Sequence, residues 1–292
     1  MGNIIQCNAA ECDTLLEDNS VDIIITSPPY YDLRDYNNDK SVWNEVNYIP
    51  ILGGNEYNVK KQETTLGNES DYMDYIGHLV FIFRILKDKL KDTGCMFVNI
   101  GDTYASNWAC NRNNGSHKEA CAYDKRKNRL IHGVKDRELL GIPWRFAFAM
   151  QADGWYLRQE IVWDKTIPTS EKSQSRFKRQ FETIFMFTKI SKGYKFFSGT
   201  KNFENNSNVW KIPIRRYIKT NSASYPEALV AQCIRAIDPD KNAVILDPFL
   251  GTGTTGIVAE KLGFKNWIGF EMNECSIKLA KLLIQKEVGQ LI

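Results

Sequence analysis

Apolar positions along the chain fall into short β-branched runs that alternate with longer stretches of three-four spacing. Val21-Asp22-Ile23-Ile24-Ile25-Thr26 has the composition of a buried parallel strand, and Ser27-Pro28-Pro29-Tyr30 ends it, because two prolines cannot continue a central ladder. Between Asp71 and Lys91 the residues Tyr72, Tyr75, Ile76, Leu79, Val80, Phe83, Leu86 and Leu90 follow helical spacing, with Ser70 as the expected N-cap and Gly94 as the stop. Cys95 to Ile100 reads as a second buried strand, closed by Gly101-Asp102. Pro143 to Gln151 reads as a helix with proline in its first turn, and Tyr156 to Asp164 and Glu182 to Thr188 as strands. A helix (Tyr225 to Ile237), a strand (Ala243 to Asp247), a helix (Thr254 to Leu262), a strand (Asn266 to Glu271) and a helix (Glu274 to Glu287) follow. This alternation predicts an α/β fold with a mostly parallel twisted sheet flanked by helices. Residues 31–70 and 103–135 are polar and read as long loops or inserts.

Composition narrows the class. With 292 residues, 43% hydrophobic and 25% charged, the chain is an ordinary globular protein of one large domain or two small ones. No apolar run approaches the roughly 18–20 residues of a membrane span. The first residues carry neither a basic region nor a long apolar one, so no secretory signal and a cytoplasmic location are expected. Seven scattered cysteines without a CxxC pair, and three histidines, make a disulfide scaffold or a metal site a poor expectation. Charge is strongly segregated. Residues 1–110 hold 8 basic and 17 acidic side chains, whereas 111–137 hold 8 and 3, and 165–220 hold 13 and 3. The last block interleaves its cations with aromatics such as Phe177, Phe181, Trp210 and Tyr217, which suggests a nucleic-acid partner. For 111–137 a solvated surface is an equal reading.

Asp247-Pro248-Phe249-Leu250-Gly251-Thr252-Gly253-Thr254-Thr255-Gly256 follows a strand and opens a helix. Gly251, Gly253 and Gly256 satisfy GxGxxG, and Glu271 ends the next strand at the spacing of a ribose-binding carboxylate. Asp-Pro-Phe ahead of the first glycine speaks against a pyrophosphate-bearing dinucleotide. Asp247 could neutralise a cation and Phe249 offer it an aromatic face, which suits S-adenosylmethionine. A tight strand-to-helix turn is the structural alternative. In Ser27-Pro28-Pro29-Tyr30, the Ser27 hydroxyl and the Pro28 carbonyl could accept both N–H bonds of an exocyclic amine. The prolines would hold that carbonyl in place, and Tyr30 could stack on an extruded base. On this motif alone a stiffened turn is about as good a reading.

Together these residues resemble the β-class amino-methyltransferases of DNA. Thr26 to Tyr30 looks like their catalytic motif, Asp247 to Thr255 their cofactor motif and Gly269-Phe270-Glu271 their ribose-binding strand end. Trp163-Asp164-Lys165, Pro168, Ser175-Arg176-Phe177 and Glu182-Thr183-Ile184-Phe185 resemble the segment flanking the flipped base. Tyr225-Pro226-Glu227-Ala228-Leu229 resembles the helix start over the methionine part of the cofactor. The order, catalytic motif first and glycine loop last, is that of the β class. The resemblance implies a Rossmann-like methyltransferase fold with permuted motif order. Residues 1–188 and 222–292 would form the catalytic and cofactor-binding domain, and 189–221 a target-recognition region.

As site residues the resemblance implies Ser27, Pro28, Pro29 and Tyr30 for catalysis. For S-adenosylmethionine it implies Asn8, Tyr225, Pro226, Asp247, Phe249, Gly251, Gly253, Thr254 and Glu271. For DNA it implies Lys165, Arg176, Lys178 and Arg179. Cys7-Asn8-Ala9 stands where relatives commonly have Gly-Asp. The partner would be double-stranded DNA and the protein a monomer or homodimer; whether a cognate restriction endonuclease accompanies it stays open. Ser-Pro-Pro-Tyr resembles members that make N4-methylcytosine, which puts cytosine first and N6-adenine second. Four rival readings fit less well, one being methylation of a glutamine side chain in proteins, which the basic block 165–220 disfavours. C5 methylation needs a Pro-Cys dipeptide, which is absent. An NAD-dependent oxidoreductase conflicts with Asp-Pro-Phe, and a non-catalytic DNA-binding module conflicts with the intact Ser27 to Tyr30.

Overall fold

The computed structural model describes residues 2–33, 40–105, 133–135, 137–169, 174–196, 207–214 and 225–289. Its main sheet has eight strands. In chain order they are β1 (Asn3–Gln6), β2 (Val21–Thr26), β7 (Leu90–Ile100), β8 (Tyr156–Asp164), β9 (Phe181–Thr188), β10 (Val209–Lys211), β11 (Ile245–Asp247) and β12 (Trp267–Glu271). Across the sheet the order is β1-β12-β11-β2-β7-β9-β8-β10. β9 runs antiparallel to both neighbours, and the remaining pairings are parallel.

β2 lies at the centre with all six residues buried, as its unbroken apolar run predicts. The strand pleat divides its side chains between two cores. Ile24, Met96, Val98, Phe185 and Phe187 face α1 (Tyr72–Lys89) and α2 (Ile142–Ala152). Ile23, Ile25, Phe97, Ile184 and Met186 face α3 (Glu227–Ile237) and α4 (Thr254–Lys261), and α5 (Glu274–Gly289) adds Ala280. Cys95 and Cys233 are fully buried, as small core residues should be.

Four expectations change. Asp71, not Ser70, caps α1, its side chain accepting from the Met73 N–H. Gly94 does not stop that helix: the chain passes at Leu90 straight into β7, and Gly94 lies inside the strand where a Cβ would come within 2.9 Å of the Asp22 carbonyl. Within residues 31–70, read as a long loop or insert, the described residues include strands. They form two ribbons, β3 (Ser41–Trp43) with β6 (Gln62–Thr64) and β4 (Val46–Tyr48) with β5 (Tyr57–Val59). The ribbons dock on α1. Trp43 stacks on His78 with centroids 4.3 Å apart, and His78 pairs with Glu69 at 2.9 Å, both side chains fully buried. Finally β10, inside the expected recognition region, is the edge strand of the main sheet, where the Trp163 indole N–H donates to the Ile212 carbonyl at 2.7 Å. Of the basic stretches, 111–132, 136, 170–173, 197–206 and 215–220 lie outside the described residues.

Candidate active site

β2 and β11 are parallel neighbours with Ile24 opposite Leu246, so the loops that follow them leave the sheet side by side at its carboxyl edge. That is where open α/β sheets bind ligands. Thr26 and Asp247 tie the two loops together, the Thr26 hydroxyl donating to Asp247 Oδ1 at 2.8 Å.

Asp247 itself is 1% exposed. Besides Thr26 it accepts from the Phe249 N–H at 3.1 Å, the Tyr225 hydroxyl at 2.8 Å and the Thr255 hydroxyl at 2.6 Å. Burial pushes its carboxyl above the usual range, and the surrounding donors pull the other way. The expectation that Asp247 faces a cationic ligand is therefore corrected. Its oxygens are spent inward, on holding the glycine loop, the start of α3 and the end of β2 in one geometry. Tyr225 is buried in the same cluster, and Pro226 is the N-cap residue of α3.

Gly251 and Gly253 both have left-handed backbone, φ +55 and +87. Gly253 leads into Thr254, which starts α4, and a Cβ at Gly253 would come within 3.0 Å of the Ala280 Cβ. A Cβ at Gly251 would find its nearest neighbour 4.0 Å away, so the space over this glycine is open. The Gly251 N–H donates to Glu271 Oε2 at 2.9 Å and the Asn273 N–H to Oε1 at 2.8 Å. Burial raises the Glu271 carboxyl and these backbone donors lower it. Phe249 is half-buried beside the loop. Asn8 lies next to the Glu271 end of β12, through the pairing of β1 with β12, but its side chain is engaged locally. Its Oδ1 accepts from the Ala10 N–H, and its Nδ2 donates to Ser41 Oγ, both at 3.0 Å.

In the proline loop, the Tyr75 hydroxyl donates to the Pro29 carbonyl at 2.8 Å, pinning the turn to α1; Pro28 is buried. Ser27 Oγ donates to the Tyr30 hydroxyl oxygen at 3.2 Å. That hydroxyl lies 2.8 Å from Glu182 Oε2 and 3.0 Å from Asn99 Oδ1. The Tyr30 ring rests on Gly101, where any Cβ would collide with it. Lys165, expected among the DNA contacts, is only 7% exposed and is ion-paired with Glu182. That pairing joins its ammonium to the carboxylate that also accepts from Tyr30, behind the proline loop.

The other expected DNA contacts lie at the same edge. The Arg176 guanidinium sits 3.7 Å and that of Arg179 5.5 Å from the Tyr104 ring centroid. Arg179 also donates to the Asp102 carbonyl at 2.6 Å, and Lys178 is exposed. Thr26 and Thr255 entered the sequence reading only as members of the two motifs, and Asn99 and Gly101 only as part of a strand and its end. Asn99 carried a signal, since it is a polar residue inside the otherwise apolar run 95–100.

Two loops, one glycine-rich and one stiffened by prolines, thus share one edge of an α/β sheet beside a basic loop, the layout of a two-substrate transferase. Residues 21–282 match the N6/N4 DNA methylase family, and the chain belongs to that family. Curated relatives include the Type II methyltransferase M.SmaI of Serratia marcescens, 34% identical over 95% of this chain and 89% of that protein. M.Cfr9I of Citrobacter freundii is also 34% identical, over 93% of this chain and 84% of its own. Among solved structures, the PvuII DNA methyltransferase (cytosine-N4-specific) superposes with a TM-score of 0.65 at 18% identity, over 99% of this chain and 92% of its own. The M1.HpyAVI–SAM complex superposes with a TM-score of 0.57 at 18% identity, over 99% of both chains. No helix among the described residues is long and apolar enough to cross a membrane.

Proposed function

We propose that this DNA methyltransferase transfers a methyl group from S-adenosylmethionine to the exocyclic N4 amine of a cytosine flipped out of double-stranded DNA. The observation that carries this reading is the Thr26–Asp247 hydrogen bond, which holds the serine-proline loop against the glycine loop. The cofactor fits the residues present: the space over Gly251 is open, the Glu271 carboxylate stands beside it for ribose hydroxyls, and Phe249 offers an aromatic face to a sulfonium. When bound, S-adenosylmethionine supplies an electrophilic methyl group. Ser27 Oγ and the Pro28 carbonyl accept the amine N–H bonds, which turns the nitrogen lone pair toward that methyl. Tyr30 stacks on the base, and Arg176, Lys178 and Arg179 contact the backbone phosphates. The neutral Ser27 hydroxyl, in place of an aspartate, favours cytosine.

Cofactor carrying a labelled methyl group, incubated with protein and mixed-sequence DNA, should yield N4-methylcytosine when the digested nucleosides are separated by mass spectrometry. N6-methyladenine would move the substrate to adenine, and unlabelled DNA would reject the reading. Ser27→Ala should lower turnover by about 100-fold or more while cofactor affinity is kept. Equal loss of both would remove Ser27 from the chemistry.

A further inference from the structure

We infer that Glu182, held by Lys165 and seconded by Asn99, is a positioning residue that sets the direction of the hydrogen-bond chain ending at Ser27. The inference rests on the reading of Ser27 as the acceptor for the substrate amine, and deepens it.

A hydroxyl has one proton to donate, so a chain of hydroxyls can run in either of two directions unless something at its end forbids one. Here the inner end is closed by acceptors. Glu182 presents Oε2 to the Tyr30 hydroxyl at 2.8 Å while Lys165 pairs with Oε1. Asn99 donates from Nδ2 to the Thr183 carbonyl at 3.2 Å, which orients its amide so that Oδ1 faces Tyr30 at 3.0 Å. Neither Oε2 nor Oδ1 can give Tyr30 a proton. The phenol must therefore donate inward, and its oxygen is left to accept from Ser27 at 3.2 Å. With its proton committed to Tyr30, Ser27 offers lone pairs to an incoming amine. Run the other way, the chain would aim the Ser27 proton at the nitrogen lone pair that has to attack the methyl group.

The support behind Glu182 is rigid. Lys165 is buried at the end of β8 with its ammonium 5.1 Å from the Trp163 ring centroid, and Trp163 is tied to Ile212 beyond β10. Glutamine at position 182 could present its N–H₂ to Tyr30 and let the chain reverse, without changing the size of the side chain.

The test is a double-mutant cycle read by single-turnover methyl transfer to DNA, with wild type, Glu182→Gln, Tyr30→Phe and the double variant. Glu182→Gln should slow transfer by about tenfold or more with cofactor and DNA dissociation constants unchanged. Added to Tyr30→Phe it should cost nothing further, because Glu182 acts only through the phenol. Glu182→Asp, which keeps an acceptor-only group, should recover part of the rate. Wild-type transfer by Glu182→Gln, or a double variant slowed by the product of the single effects, overturns the inference. If Glu182→Gln does not fold, Tyr30→Phe decides, since it breaks the same chain: transfer at the wild-type rate overturns the inference. Wild type that leaves DNA amines unmethylated removes the functional reading and this inference with it, whereas active wild type with unaffected variants removes only the inference.

Discussion

Asp247 shows how much one buried carboxylate can organise. Four donors from three segments converge on it, so removing its charge leaves hydroxyls and an amide short of an acceptor. Asp247→Asn should cost about 2–4 kcal/mol of stability, read as a lowered melting temperature, and should weaken cofactor binding by loosening the glycine loop. The pH dependence has a definite sign. A carboxyl raised by burial binds its proton more tightly folded than unfolded. Its contribution to stability therefore declines as pH rises from the ordinary aspartate range through the raised value, and then levels off. The stability difference between wild type and Asp247→Asn should shrink over that window, and a difference that grows would reverse the assigned direction. Little of this was legible from the residue itself. From sequence, Asp247 read as a partner for a cation and Lys165, through the resemblance, as a DNA contact; both stand at strand ends. Which way a side chain turns there depends on partners such as Thr26 and Glu182, 221 and 17 residues away.

At the scale of elements, legibility followed the strength of the apolar pattern. The central strand and the long helix could be read because each buries a continuous or periodic apolar face. The three-residue ribbon strands and β10 are too short for a period to show, and their pairing is settled by what they dock on. Gly77 is the point of docking. A Cβ there would fall 2.5 Å from the Val59 Cγ2 and 3.0 Å from the Tyr48 Cε1. Gly77→Ala should push the ribbons off α1 at a cost of about 1–3 kcal/mol, and limited proteolysis should cut residues 49–56 faster than in the wild type. An unchanged cutting rate would mean that the ribbons are held elsewhere, for instance by the His78–Glu69 pair under Trp43.

For the whole molecule, the arrangement joins the chain's head to its tail. β2 is completed on one side by β11, more than 200 residues later, so neither half of the site is formed alone. Charge is arranged on the same plan. The first 110 residues carry 8 basic and 17 acidic side chains, yet the basic loop 174–180 reaches the carboxyl edge beside Tyr104 and Gly101. A polyanion is drawn toward such a cluster of cations. If DNA binds there, its affinity should fall linearly in log–log form with salt, because each neutralised phosphate releases counterions. The two lysines of this region should then separate. Lys178 is exposed, and Lys178→Ala should reduce the salt slope by about 0.9 while leaving single-turnover transfer on saturating DNA intact. Lys165 is buried and already neutralised by Glu182, so Lys165→Met should leave the slope alone and slow transfer instead. Filter binding across a salt series, run beside the transfer assay on both variants, checks this. A slope change in Lys165→Met would mean that the Lys165–Glu182 ion pair opens to meet DNA.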